Sequence, residues 1–299
     1  MAKMGRSSSD HTWEPQSLLA SPLFAALAAV IRQMPASRFP TLDDLNALLA
    51  VRQPAITVSH GHRIEFVPQA RGRLAFEAQY EPRCHLSGEV QTRADNWHDL
   101  LNALVWLTFP KSKAAINDRH YRALTEGAQQ NDLSSQRGSI RDTNTLLDES
   151  GVIVVYADDD VARLLRDFRW KELFWQRREQ VRSRMGFFLF GHGLYEKALQ
   201  PYVGMTGQGW LLRVEPDFFA WPLEQQLAYV DESLAAYLSV PAHCRSTREL
   251  SPVPLLGVPG WAAENECAAY YDNTHYFRSG RQSSAQCKPL RTAPSSVAG

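Results

Sequence analysis

Residues 96–113 read NWHDLLNALVWLTFPKSK and predict an apolar helix that ends at a corner. Apolar side chains fill most positions of its first part, so we expect this helix to be buried on most of its sides. Pro110 disfavours helix at the residue before it and is a good first residue for a new helix. The stretch therefore predicts two helices that meet at Phe109 and Pro110.

The flanking sequence predicts a mixture of helices and strands. The run GVIVVY at 151–156 is typical of a buried strand, and FFLF at 187–190 indicates either a strand or the buried start of a helix. Upstream, alternation and turn residues predict a hairpin over 56–67 and a further strand over 74–80, which together would form a small antiparallel sheet. Helical spacing predicts the remaining elements at 15–33, from Thr41, 158–184, 192–199 and 223–238.

Length and composition are those of a globular protein. The 299 residues include 44% hydrophobic and 21% charged side chains, which excludes a wholly disordered chain. We expect an α+β fold, with a small antiparallel or mixed sheet surrounded by helices and an irregular C-terminal arm. The expected organisation is a disordered N-terminus at 1–14, a single domain at 15–280 and a disordered C-terminal tail at 281–299.

Charge and cysteine content restrict the partners and the location. Thirty-two basic residues balance thirty-two acidic ones, so we do not expect nucleic acid as a partner. The expected partner is an unknown small molecule. The four cysteines form no C-x-x-C pair, which is typical of free thiols in a reducing cytoplasm. No apolar run is long enough for a transmembrane segment, so we predict a cytoplasmic protein. The sequence leaves the oligomeric state open.

Polar side chains form a stripe on the apolar helix. His98 and Asn102 are four residues apart, and Asp99 and Asn102 are three apart, so they share one face. One interpretation is a site in which His98 is a base or a metal ligand and Asp99 orients it or ligates beside it. The other is a structural one, in which these side chains cap the helix and complete hydrogen bonds.

The next helix carries a second stripe at the same spacings. Lys113, Asn117 and His120 are four and three residues apart, and Lys113 could bind an anion or act as an electrophilic group. A solvated helix face explains the same pattern.

Two more clusters surround the predicted strand at 151–156. The loop before it, RDTNTLLDESG at 141–151, carries three carboxylates that can coordinate a divalent cation or cap a short helix. His192 and Glu196, four residues apart, place an imidazole and a carboxylate on one helix face, a spacing found in metal sites and in ordinary intrahelical hydrogen bonds.

Two functional hypotheses follow. The first is a hydrolase-like enzyme, with a divalent metal as a candidate cofactor. Its candidate catalytic residues are His98, Asp99, Asn102, Lys113, His120, His192 and Glu196. Its candidate metal ligands are His98, Asp99, Asp148 and His192. The second is a non-catalytic binding protein, whose polar stripes are structural and whose basic, aromatic segment Arg163–Arg184 contacts a partner.

Four segments together resemble a bacterial family, the domain of unknown function three-zero-two-five. They are 96–113, 142–151, 190–201 and LLGVPGW at 255–261. The resemblance implies a bacterial origin and one family domain over most of residues 40–280. It implies no activity, substrate or cofactor.

Overall fold

A computed structural model describes residues 12–129 and 135–280 of the chain. Most of the predicted disordered N-terminus and all of the predicted tail lie outside these residues. The helices are α1 (Pro15–Ala20), α2 (Ala28–Ile31), α3 (Leu42–Val51), α4 (Tyr80–Ser87), α5 (Trp97–Thr108), α6 (Pro110–Gln129), α7 (Ser135–Ser150), α8 (Asp159–Arg166), α9 (Arg178–Arg184), α10 (His192–Ala198) and α11 (Leu223–Ser239). The strands are β1 (Glu65–Pro68), β2 (Glu89–Thr92), β3 (Gly151–Tyr156), β4 (Met185–Leu189), β5 (Thr206–Arg213) and β6 (Ser251–Pro254).

A mixed four-stranded sheet lies among the helices in the order β4-β3-β5-β6. β3 pairs antiparallel with β4 and parallel with β5, and β6 adds an antiparallel edge. Every residue of β3 is buried, as the GVIVVY run predicts, because a central strand is covered on both faces. The predicted α+β class is confirmed. β6 comes from the C-terminal arm, so this arm completes the sheet.

The predicted antiparallel sheet before residue 96 is wrong. Its hairpin is reduced to a bridge between Thr57 and Arg63, and β1 pairs parallel with β2, which lies beyond α4. The predicted strand at 74–80 is a 3₁₀ turn (Phe76–Ala78) that leads into α4. Pro82 lies in the first turn of α4, where proline favours a helix start. In the part of the chain that the structure describes, the alternating residues at 74–80 pair with no neighbouring strand, and alternation alone does not stabilise a strand.

The corner between the two central helices is confirmed. Asn96 caps α5, because its side-chain oxygen accepts a hydrogen bond from the backbone amide of Asp99. α5 is buried along most of its length. α6 starts at Pro110, and the buried carboxylate of Asp231 on α11 accepts the amides of Lys111 and Ser112 at 3.0 and 2.8 Å. A side chain from a distant helix thus satisfies free donors at the start of α6 and fixes the corner.

A tryptophan near the start of the described residues is buried. Trp13 lies within the stretch predicted to be disordered, yet its ring packs against Phe39 and Trp97. The helix predicted over 15–33 is divided into α1, a 3₁₀ turn (Pro22–Leu27) and α2, because Pro22 cannot continue the hydrogen-bond ladder of α1.

The basic segment Arg163–Arg184 buries two of its aromatic side chains. Trp170 and Phe174 are buried in the core. Arg178 is buried as well and binds Asn265 and Glu266 of the C-terminal arm. These arginine contacts join the arm to the body. Across the described residues, no helix is both long and apolar enough to cross a bilayer.

Candidate metal centre

Three helix ends meet and bring two histidines and a glutamate together. α5 contributes His98 from its first turn, α7 contributes Glu149 from its last turn, and α10 begins with His192. α10 packs against both α5 and α7, which brings the three side chains together from distant parts of the sequence.

The three side chains point one atom each at a common centre. His98 Nε2 and His192 Nε2 are 3.2 Å apart, and Glu149 Oε1 lies 3.4 Å from His192 Nε2 and 3.9 Å from His98 Nε2. Tetrahedral ligands at roughly 2.1 Å from a zinc ion are separated by about 3.4 Å. The observed triangle therefore has the size of one face of a tetrahedral metal site.

The opposite nitrogen of each imidazole faces a hydrogen-bond acceptor. His98 Nδ1 lies 2.8 Å from Glu196 Oε2, and His192 Nδ1 lies 2.8 Å from the backbone carbonyl oxygen of Asp148. A carbonyl and an ionised carboxylate can only accept, so each Nδ1 carries the proton and donates it. In the neutral rings, both Nε2 atoms then present lone pairs to each other.

The Glu149 carboxylate adds negative charge at the same centre. When His192 carries a second proton on Nε2, it donates to Glu149, and this hydrogen bond holds the pKa of Glu149 below its ordinary value, against the opposing effect of partial burial. Two lone pairs and a carboxylate at these distances repel one another unless a cation lies between them. The arrangement can bind a metal ion or a shared proton.

Part of this centre is open to solvent. The side chains of His98 and Glu149 are 32% and 41% exposed, whereas that of His192 is 7% exposed. Among the described residues, these three are the group of histidine, cysteine and acidic side chains that could hold one ion. Three protein ligands leave a tetrahedral position for water or a substrate.

A buried ion pair lies behind His192. Lys113 Nζ contacts Asp148 Oδ1 at 2.5 Å, and Asp148 Oδ2 lies 3.7 Å from His192 Nδ1. Burial alone would raise the pKa of Asp148, but the charges of Lys113 and His192 and the hydrogen bond from Lys113 together lower it. The Asp148 carboxylate therefore stays charged and bound to Lys113.

The remaining candidate residues lie around this centre without entering it. Asp99 binds the Arg93 guanidinium and the Arg93 backbone amide, so its carboxylate is engaged away from the histidines. Asn102 donates to the Tyr80 hydroxyl. His120 is buried, and its charge lowers the pKa of the buried Glu81, against the larger raising effect of burial.

The sequence patterns do not single out Glu149 as a site residue. The sequence predicts a loop over 141–151, but residues 141–150 form the last turns of α7 and Gly151 begins β3. On a helix, adjacent residues point about 100° apart, so Asp148 faces Lys113 while Glu149 faces the histidines. Had α7 been extended to Ser150, this divergence would have indicated two different roles for the two carboxylates.

Two glycines allow α10 to approach the end of α7. Gly191 lies against the backbone of the α7–β3 junction, and Gly193 lies against the Glu149 carboxylate. The pattern Gly-His-Gly was a second signal in the sequence, since glycine on both sides of a histidine is typical of close backbone approach.

We expect Gly193→Ala to weaken metal binding at least about 10-fold, because it displaces the Glu149 carboxylate, a direct ligand, and loss of an outer-shell partner alone costs a metal site about 10- to 100-fold. The new Cβ would collide mainly with Glu149 Oε2, the free end of a side chain, so the carboxylate would move, while the Glu149 backbone oxygen, 3.1 Å from the new Cβ, would shift only slightly. Chelator competition with Zn²⁺ and thermal unfolding without metal provide the two measurements. Unchanged zinc affinity would show that the Glu149 carboxylate does not need this space.

Comparison with known proteins identifies a family without a described activity. Residues 64–281, more than half of the chain, match the family described as "Protein of unknown function (DUF3025)". No curated protein and no solved structure matches the chain. The matched range contains His98, Glu149 and His192.

Proposed function

This chain belongs to the DUF3025 family, and we propose that it is a metal-dependent hydrolase whose metal ion is bound by His98, Glu149 and His192. The observation that carries the proposal is the pair of Nε2 atoms 3.2 Å apart, both with their Nδ1 atoms committed as donors. Histidines that bind a metal are typically oriented in this way by a carboxylate or a carbonyl on the other ring nitrogen.

The ligand set favours a catalytic over a structural ion. Structural zinc sites are closed by four protein ligands, whereas two histidines and one glutamate with a free position are a known catalytic zinc set. Exposure of His98 and Glu149 gives water and a substrate access to that position. A zinc ion bound by these three residues would act as a Lewis acid and would lower the pKa of a bound water to about 7.

The surrounding residues then have defined tasks. Glu196 and the Asp148 carbonyl hold the two imidazoles with Nε2 directed at the ion. The carboxylate of Glu149 supplies the negative ligand and partly balances the charge of a divalent ion. Two histidines and one carboxylate also form the ligand set of non-haem iron(II) sites, so the metal must be identified by experiment.

Metal loading tests the proposal directly. Chelator-treated protein should bind one Zn²⁺ per chain in isothermal titration, and X-ray absorption should show two imidazoles in the first shell. Mn²⁺ and Fe²⁺ are titrated in parallel. The loaded protein is then screened on small phosphate esters, carboxylic esters and amides, with activity lost on chelation and restored by metal.

His62→Ala is the matched control. His62 is an exposed histidine in the loop between Thr57 and Arg63, and this loop is not part of the three helices that form the site. This variant should bind zinc as the wild type does. Absence of stoichiometric binding by the wild-type chain would overturn the metal site and favour the non-catalytic binding protein. Stoichiometric binding without hydrolysis of any substrate class would retain the metal site and reject the hydrolase.

A further inference from the structure

The two histidines of the centre differ in what holds them. His98 donates to the carboxylate of Glu196, whereas His192 donates to a neutral carbonyl, that of Asp148. The Asp148 side chain offers His192 an alternative, because its Oδ2 lies only 3.7 Å from the same Nδ1. The stronger acceptor is therefore nearby and is not used.

Lys113 accounts for this choice. Its Nζ binds Asp148 Oδ1 at 2.5 Å, and its side chain is 4% exposed. The Lys113 ammonium also lies over the Trp106 ring, 5.7 Å from its centre, and makes a cation–π contact with it. A buried lysine must keep a partner for its charge, so the Asp148 carboxylate stays turned towards Lys113.

We propose that Lys113 is a positioning residue of the metal centre, which acts by holding the Asp148 carboxylate away from His192 Nδ1. The inference rests on the proposed metal site and assigns a role to a residue that touches neither metal nor ligand nitrogen. With Lys113 in place, His98 donates its hydrogen bond to a carboxylate and His192 donates its hydrogen bond to a carbonyl.

This asymmetry limits the negative charge at the centre. Glu149 and Glu196 supply two carboxylates, which match the charge of a divalent ion, and Lys113 neutralises the third, that of Asp148. A carboxylate bound to Nδ1 makes an imidazole a more basic ligand than a carbonyl does. Release of Asp148 would therefore strengthen His192 as a ligand and add a negative charge beside the ion.

The test is Lys113→Met in the full chain, with Zn²⁺ as the probe in chelator competition. Zinc affinity should increase about 10-fold, because His192 gains a carboxylate partner. The thermal midpoint without metal should fall, because Asp148 loses its ion-pair partner. A purely structural role would loosen the site and lower both quantities, so the opposite signs identify the positioning role.

The double variant Lys113→Met, Asp148→Asn tests whether the effect passes through the Asp148 carboxylate. It removes both charges of the pair and leaves the backbone carbonyl as the partner of His192. Zinc affinity should return to within about two-fold of the wild type, well inside the range of outer-shell effects. An affinity that stays high in the double variant would overturn the proposal.

The chemical shifts of the histidine Nδ1–H protons can be measured in the wild-type protein, so this test does not depend on whether a variant folds. In the zinc-loaded, ¹⁵N-labelled chain, the Nδ1–H proton of His98 should resonate downfield of that of His192, since a charged acceptor makes the stronger hydrogen bond. In Lys113→Met, the His192 proton should move downfield and the His98 proton should not. Equal downfield shifts in the wild type, or unchanged or weaker zinc binding by Lys113→Met, would overturn this inference alone. No zinc binding by the wild type would overturn the proposed function with it.

Discussion

His98→Ala is expected to lower zinc affinity at least about 100-fold while the fold stays intact. Loss of an outer-shell partner typically costs a metal site 10- to 100-fold in affinity, and loss of a direct ligand should cost more. His98 supplies one corner of the triangle formed with His192 and Glu149, and two remaining ligands hold a tetrahedral ion poorly. Chelator competition measures the affinity, and thermal unfolding measures the fold.

The metal-free stability of His98→Ala should differ little from that of the wild type. The side chain is one-third exposed, and its removal ends the repulsion between two facing Nε2 lone pairs. The change in the free energy of unfolding should be within about 0.5 kcal/mol, as for an ordinary surface position. The stabilisation by zinc, which is about 2.7 kcal/mol at a free concentration 100 times the Kd, should disappear.

Two variants calibrate the effect. His62→Ala removes an exposed histidine elsewhere and should retain full zinc affinity. Glu196→Gln keeps the shape of the His98 partner but removes its charge, so its affinity should fall about 10-fold, between the other two. Retained zinc affinity in His98→Ala, together with a large drop in the melting temperature, would show that His98 is structural.

The central features of the fold could be predicted because they depend on local sequence. Pro110 marks the corner between α5 and α6, and GVIVVY gives β3, since an uninterrupted β-branched run fits a strand buried on both faces. The element predicted from Thr41 is α3, whose start is capped: the Asp44 carboxylate accepts a hydrogen bond from the Thr41 amide, and the Thr41 hydroxyl accepts one from the Asp44 amide.

Strand pairing over a distance could not be predicted in the same way. β1 pairs with β2 across α4, so its partner depends on where a helix ends and not on the alternation of its own residues. The alternating residues of 74–80 lack a neighbouring strand and form a 3₁₀ turn instead. Alternation describes which side chains share a face, but tertiary contacts decide whether a strand forms.

The candidate site also combines features that local sequence predicts with contacts that it does not predict. Helical spacing correctly associated His192 with Glu196 as neighbours on one helix, but Glu196 binds His98 across the interface between α5 and α10. The contact between Lys113 and Asp148 joins two clusters that the sequence presents separately. Polar side chains on apolar helices indicate candidate residues, and packing determines their partners.

Gly191→Ala is expected to destabilise the protein by about 3 kcal/mol, at the upper end of the cost of overpacking. Gly191 has φ −62° and ψ 119°, which any residue adopts, so the cost comes from space alone. An added Cβ would lie 2.5 Å from the backbone nitrogens of Ser150 and Gly151 and 2.6 Å from the carbonyl carbon of Glu149. Backbone atoms at the start of the central strand cannot move aside as a side chain can.

Comparison of Gly191→Ala with Gly193→Ala separates the fold from the site. Both substitutions add one methyl group to the same segment, but the closest contacts of the first are backbone atoms and the closest contact of the second is the Glu149 carboxylate. Denaturant unfolding of the metal-free proteins should show the large loss for Gly191→Ala and a change of under about 1 kcal/mol for Gly193→Ala, where a flexible side chain yields. If Gly191→Ala unfolds at the same denaturant concentration as the wild type, the end of α7 is not fixed against α10, and Glu149 would then lack the rigid support that its place beside the two histidines requires.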